Sequence, residues 1–197
     1  MAQKMLSPSF PDNGSSALEQ LGPFSIILEI IDNWFETIHS VAPILHRRRF
    51  LERLSNGDAS TDAEFCGLVV SLCAATLVSL RRKCSARCGT ITVEKCLDVI
   101  DRHKLLDTKS IFTLDWCLAK YNLGATASSE RGLENTASFR YLGEATMGVK
   151  YLIYHALPNM DFVSQQQLKR LYWLIFVGLW YDASLPVYRE RDCNFFS

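Results

Sequence analysis

Apolar residues recur along this chain at intervals of three and four, the period of helices that pack by one face. Between residues 26 and 38 the apolar positions are Ile26, Ile27, Ile30, Ile31, Trp34, Phe35 and Ile38, with Glu29, Asp32, Asn33 and Glu36 opposite. That is a broad stripe on one side of an amphipathic helix. Pro23 suits its first turn, and Pro43 ends or turns it. Arg48–Leu54 fits a short second helix, and Ser55-Asn56-Gly57-Asp58 has the composition of a loop. The next segment, Phe65 to about Leu80, is apolar almost all round, and Thr61 and Glu64 stand before it at the spacing of a capping box. Ser71, Thr76 and Ser79 within it can bond back to helix carbonyls. At sixteen residues it is short for a bilayer span, so the pattern predicts a central core helix.

Val93, Cys96, Leu97 and Ile100 mark a further helix beyond a loop at Cys84–Gly89. Another is expected over Ile111–Leu123, ending at Gly124, with Ala125–Arg131 as a polar connection. The pattern is helical again from Leu133 to Leu157 and closes at Pro158, and Ser164-Gln165-Gln166-Gln167 can cap a last long helix over about 165–182. Inside that helix Lys169-Arg170 runs straight into Leu171-Tyr172-Trp173-Leu174-Ile175-Phe176-Val177. Extended to Tyr181, the stretch holds about eleven apolar positions, against the roughly 20 that a membrane-crossing helix needs. Length therefore favours a buried helix over a membrane segment. No alternating run bounded by hairpin turns and no repeat occurs. The expected fold is all-α, a single helical domain of six or seven helices over residues 23–188, with a flexible leader at 1–22 and a tail at 189–197.

A chain of 197 residues can bury a sizeable core without staples. Its 21 basic and 21 acidic residues cancel, and the local excess of twelve basic over eight acidic residues between 41 and 109 is too small to argue for nucleic-acid binding. Met1–Gln20 is polar and lacks the apolar run of a secretion signal. The seven cysteines, at 66, 73, 84, 88, 96, 117 and 193, are an odd count set largely in apolar helical patterns. They point to reduced, mostly buried thiols in a cytosolic or nuclear setting.

Candidate chemistry is sparse. Cys84-x3-Cys88 is the one close cysteine pair with loop character, and a structural zinc site needs four ligands; Cys96 and His103 do not complete a recognisable set. The strained Gly-x-Ser-x-Gly turn of a serine nucleophile is absent, as are the Gly-rich phosphate cradles. The four histidines, at 39, 46, 103 and 155, are scattered over separate elements and read as packing or surface residues. Asp98 and Asp101 have the spacing of a magnesium-binding pair in helical prenyl-transfer enzymes, without a second acidic cluster to face them. His46-Arg47-Arg48-Arg49 could meet about three phosphates at best, so it reads as the solvated start of a short helix. These residues lead us to expect no enzyme, no metal and no cofactor, and they name no catalytic residue.

Three segments, in order, resemble the middle homology region of fungal binuclear zinc-cluster transcription factors. The first runs from Ile31-Asp32-Asn33-Trp34-Phe35 through Val41-Ala42-Pro43-Ile44-Leu45-His46-Arg47 to Phe50, and the second from Phe65-Cys66-Gly67-Leu68-Val69 through Cys73-Ala74-Ala75-Thr76. The third begins at Phe139-Arg140-Tyr141-Leu142-Gly143-Glu144-Ala145 and ends in Lys169-Arg170-Leu171-Tyr172-Trp173-Leu174-Ile175-Phe176. The likeness is nearest to regulators of starch and maltose use and spans about residues 24–188. It implies a nuclear, non-catalytic regulatory domain that senses a small-molecule effector or a partner, the latter another regulator or a second copy. The six-cysteine zinc cluster that reads DNA in this family has no counterpart, since residues 1–60 contain no cysteine. Direct sequence-specific DNA binding by this chain is therefore not expected, nor is a membrane. Gly178-Leu179-Trp180 also departs from the family, which commonly turns polar there. The competing expectation is a ligand-binding protein or enzyme on the same scaffold, with a pocket lined by Trp173, Trp180, Tyr172 and Phe139.

Overall fold

The computed structural model of the protein describes residues 13–80, 90–107, 111–131 and 136–184. Among these residues there are nine α-helices and no strand: α1 (Asn13–Leu21), α2 (Phe24–Thr37), α3 (Arg47–Ser55), α4 (Asp58–Thr61), α5 (Ala63–Ser79), α6 (Val93–Arg102), α7 (Leu114–Arg131), α8 (Thr136–His155) and α9 (Phe162–Ser184). A 3₁₀ turn at Leu157–Asn159 takes in Pro158 and separates the last two. The all-α class is as expected, and the helix count is higher than the six or seven read from periodicity. The two additions are the short α4 and α1. The latter lies inside the expected flexible leader, where Ala17, Leu18 and Leu21 are buried against the domain.

Helix α5 is the axis of the fold. Every residue from Glu64 to Val78 is buried, and α1, α2, α4, α6 and α7 pack around it. The hydroxyls of Ser71, Thr76 and Ser79 donate to the carbonyls of Leu68, Leu72 and Ala75 at 2.7–2.8 Å, so their protons are satisfied within the helix. The cap of α5 is not Thr61, which belongs to α4, but Asp62. Its Oδ1 accepts from the Glu64 and Phe65 amides at 3.0 and 3.1 Å. An ionised carboxylate accepts more strongly than a hydroxyl at the positive end of a helix, which explains the shift by one residue. Glu64, freed from capping, accepts instead from the hydroxyl of Thr113.

The stripe of α2 packs as its spacing predicts, with Ile27, Ile30, Ile31, Trp34 and Phe35 all buried. Helix α7 does not end at Gly124; it continues through Ala125–Arg131, the segment expected to be a polar connection. Gly124 is needed for close approach: a Cβ there would stand 2.8 Å from the Leu142 side chain of α8. Gly148 does the same from the other side, where a Cβ would lie 2.6 Å from the Cys117 sulfur. Helix α9 starts earlier than the serine-glutamine run suggests. Asp161 Oδ1 accepts from the Val163 and Ser164 amides at 3.0 and 3.2 Å, an aspartate cap that outcompetes Ser164. The expected loop at Cys84–Gly89 lies outside the described residues. No helix among the described residues is long and apolar enough to cross a membrane.

Candidate functional site

The three segments that carry the family resemblance meet in space. Phe35 of α2, Phe50 of α3 and Phe65 of α5 form a chain of edge-to-face rings with centroids 5.8 and 5.3 Å apart, which joins the first segment to the second. The third segment closes over the first through α9. Gln167 Nε2 donates to the Ile44 carbonyl at 3.2 Å, and Arg170 Nη1 donates to the Pro43 carbonyl at 3.0 Å. Arg49 reaches Asp161 at 2.9 Å and so ties α3 to the cap of α9. The Pro43-Ile44-Leu45-His46 step is thus held by residues more than a hundred positions later in the chain.

A cleft of about 160 Å³ opens at this junction, lined by His46, Arg49 and Arg53 from α3 and its cap, Thr113 and Asp115 at the start of α7, and Ser164 and Gln167 of α9. Arg53 organises its inner wall. Its guanidinium lies 3.9 Å from the Phe65 ring centroid and contacts Asp115 at 2.7 Å, Asp62 at 3.1 Å and Asp58 at 3.4 Å. Burial pushes the Asp115 carboxyl above the ordinary carboxylate range, and Arg53 opposes that rise. Asp161 is held well below the range by the Ser164 hydroxyl and by Arg49. Ion pairs across the cleft thus join α3 to α7 through Arg53 and Asp115, and to the cap of α9 through Arg49 and Asp161.

Each member of the His46–Arg49 run is accounted for by a protein partner. His46 Nδ1 accepts from the Arg49 amide at 3.3 Å and caps α3, while Arg47 contacts Asp32 at 3.2 Å and Arg48 contacts Glu52 at 2.8 Å. The solvated helix start is what the structure contains. The other histidines also sit at helix ends: His39 follows α2, His103 caps α6 and His155 closes α8. Burial, and then the charges of Arg170 and Arg47, hold His39 below its ordinary pKa. Asp98 is paired with Arg102 of its own helix at 2.5 Å.

Cys66, Cys73, Cys96 and Cys117 are buried, and burial pushes the thiols of Cys66, Cys96 and Cys117 up to about 12. Cys84 and Cys88 lie outside the described residues. Among the described residues no cluster of three histidine, cysteine or acidic side chains could hold a metal ion. Lys120 is buried on α7, within about 5.5 Å of the Trp116 and Tyr141 rings, and pairs with Glu144 of α8 at 2.6 Å.

The expected aromatic pocket on α9 takes a different form. Leu168, Leu171 and Ile175 turn inward and are buried, whereas Trp173 is 61 % exposed and Phe139 52 % exposed. Trp173, Phe176 and Val177 make an outer apolar face beside the exposed Lys169 and Arg170, and the Trp180 side chain lies outside the described residues. The run read as a buried helix is thus buried on one side only, because α9 packs on α8 and α7 and has no helix over its other face among the described residues.

Arg53, Asp115 and Asp161 were not singled out by the sequence. Asp161 had a signal, an aspartate three residues before Ser164 at the head of an apolar run. Asp115 had none, since its partner Arg53 lies 62 positions away. No protein-family model matches the chain, and no curated protein or solved structure is similar to it.

Proposed function

We propose that this chain is a non-catalytic regulatory domain of the fungal zinc-cluster regulator type, acting in the nucleus on transcription of a metabolic pathway. It works through a partner or a small-molecule effector, because these residues contain no zinc cluster to read DNA. What supports the reading is the meeting of the three resembling segments at the Pro43–His46 step, clamped by Gln167 and Arg170 of α9. Two hydrogen bonds hold α9 to this step, and Arg49 of α3 adds an exposed ion pair to Asp161 and a hydrogen bond to Ser164 at the head of α9. Each contributes on the order of 1 kcal/mol or less, so an effector or partner that binds the uncovered step can shift the population between its clamped and unclamped forms while Leu168, Leu171 and Ile175 keep α9 packed.

The test is a reporter assay. The chain is tethered between a heterologous DNA-binding module and an activation segment and is expected to lower reporter output several-fold. R170A together with Q167A is expected to change that repression while leaving the chain folded by circular dichroism. Output unaffected by the chain would overturn the proposal. So would a tight, sequence-specific complex of the chain alone with promoter DNA in a mobility-shift assay at physiological salt.

A further inference from the structure

A second cavity, of about 100 Å³, lies between the end of α6, α7 and α8, and shares none of its lining residues with the cleft at the Pro43–His46 step. Its lining is mostly charged: Lys120 from α7, Arg140 and Glu144 from α8, and Asp101 and Asp107 from α6 and the residues just after it. Asp101, Asp107 and Arg140 are exposed, and none of these three makes an ion pair among the described residues.

Lys120 is the inner member of this set, with a side chain only 9 % exposed. Its ammonium pairs with Glu144 at 2.6 Å and stands 5.5 Å from the centre of the Tyr141 ring. Glu144 and Tyr141 both line the cavity, which places the ammonium at its wall. The Arg140 guanidinium lies 4.9 Å from the centre of the same ring, so the two cations are gathered around Tyr141. An ammonium carries three donors. Glu144 answers one, and the others have no acceptor among the described residues. A buried cation is costly until such protons are met, and the cavity is the side from which an acceptor can reach them.

We infer that this cavity binds a small α-amino acid, of glycine's size, as its zwitterion. The carboxylate meets Lys120 and Arg140 and supplies the missing acceptors, and the amine meets Asp101 and Asp107. The lining holds three acids against two bases, so a simple carboxylate would add to the excess, whereas a zwitterion brings no net charge. A simple amine would leave the protons of Lys120 unanswered. The volume is about two-thirds of the roughly 150 Å³ that accepts a benzene ring. It suffices because only the carboxylate and Cα need enter, the amine staying among exposed side chains at the rim. The inference stands on the cavity alone and does not depend on the regulatory reading.

Glycine is the probe, titrated at neutral pH into the ¹⁵N-labelled full chain while the assigned backbone amides of Asp107 and Tyr141 are followed. Both are expected to move saturably, with a dissociation constant of about 1 mM or tighter. Acetate and methylamine, which each carry one half of the zwitterion, are expected to bind at least tenfold more weakly. Two variants alter exposed side chains only and leave the core untouched: R140Q, and D101N combined with D107N. Each is expected to weaken glycine at least tenfold while the spectrum keeps its dispersion. No saturable movement with glycine would overturn the site, as would an unchanged affinity in either variant. Acetate or methylamine binding as tightly as glycine would overturn the assigned ligand class.

Discussion

Helices α5 and α9 are written in nearly the same apolar vocabulary and occupy opposite situations. Helix α5 is buried on every side, with its hydroxyls turned onto its own carbonyls. Helix α9 buries Leu168, Leu171 and Ile175 and leaves Trp173, Phe176 and Val177 outside. The number of apolar residues does not distinguish them. Their neighbours do: five helices surround α5, whereas α9 rests on α8 and α7. On α9, Trp173 and Phe176 stand edge to face at 5.7 Å, and Tyr172 and Phe176 are stacked at 6.3 Å. An apolar helix thus becomes core or surface according to what the rest of the chain supplies to cover it.

The widest separation between the two helices should come from truncating one large side chain in each. Leu72→Ala, at a position with no exposure, is expected to cost about 2–5 kcal/mol in urea unfolding. Trp173→Ala should stay within about 1 kcal/mol while reducing self-association at high concentration. Equal losses would mean that α9 is as enclosed as α5. Glycines sharpen the comparison at the next level. Gly148→Ala would place a Cβ 2.6 Å from the Cys117 sulfur and 3.2 Å from the Trp116 ring, an overpacking expected to cost about 1–3 kcal/mol. Gly178→Ala on α9 meets nothing within 4 Å and is expected to stabilise by up to about 1 kcal/mol through helix propensity.

The last contrast lies at the cap of α9. Asp161→Ala is expected to cost about 0.5–2 kcal/mol by thermal unfolding. Because the folded-state pKa of Asp161 lies below its ordinary value of 3.8, its contribution is full above about pH 4 and fades as pH falls through and below that value. Solvent screening of this exposed carboxylate keeps the pH-dependent part under about 1 kcal/mol. Wild type and D161A should therefore converge in stability towards pH 2, and a gap that persists undiminished would remove the carboxylate charge from the account.

Periodicity made most of the helices legible, and the burial of α2 and α5 follows directly from the spacing of Ile27, Ile30, Ile31 and Trp34 and from the unbroken run after Phe65. What escaped depends on partners distant in sequence. Gly124 looked like a helix end because glycine favours that position; only the presence of Leu142 across the helix pair turns it into a contact point. Leu18 and Leu21 are too few to announce a helix, yet they are held by the rest of the domain. The cleft was the least legible feature, since Arg53, Asp62 and Asp115 become one ion-pair network only after α3, α5 and α7 have folded together. The outer face of α9 escaped for the same reason, because a sequence window does not show which side goes uncovered.

The clamp on the Pro43–His46 step also sets a clock. The Pro43 and Ile44 carbonyls accept from side chains 127 and 123 positions later. At a synthesis rate of roughly 5–20 residues per second, those acceptors leave the ribosome roughly 6–25 s before their donors exist. During that interval the turn between α2 and α3 has water in place of Gln167 and Arg170, and the side of the step that α9 will cover stays open. The Pro43–His46 step stays incomplete until α9 has emerged, and the arrival of α9 is what closes it.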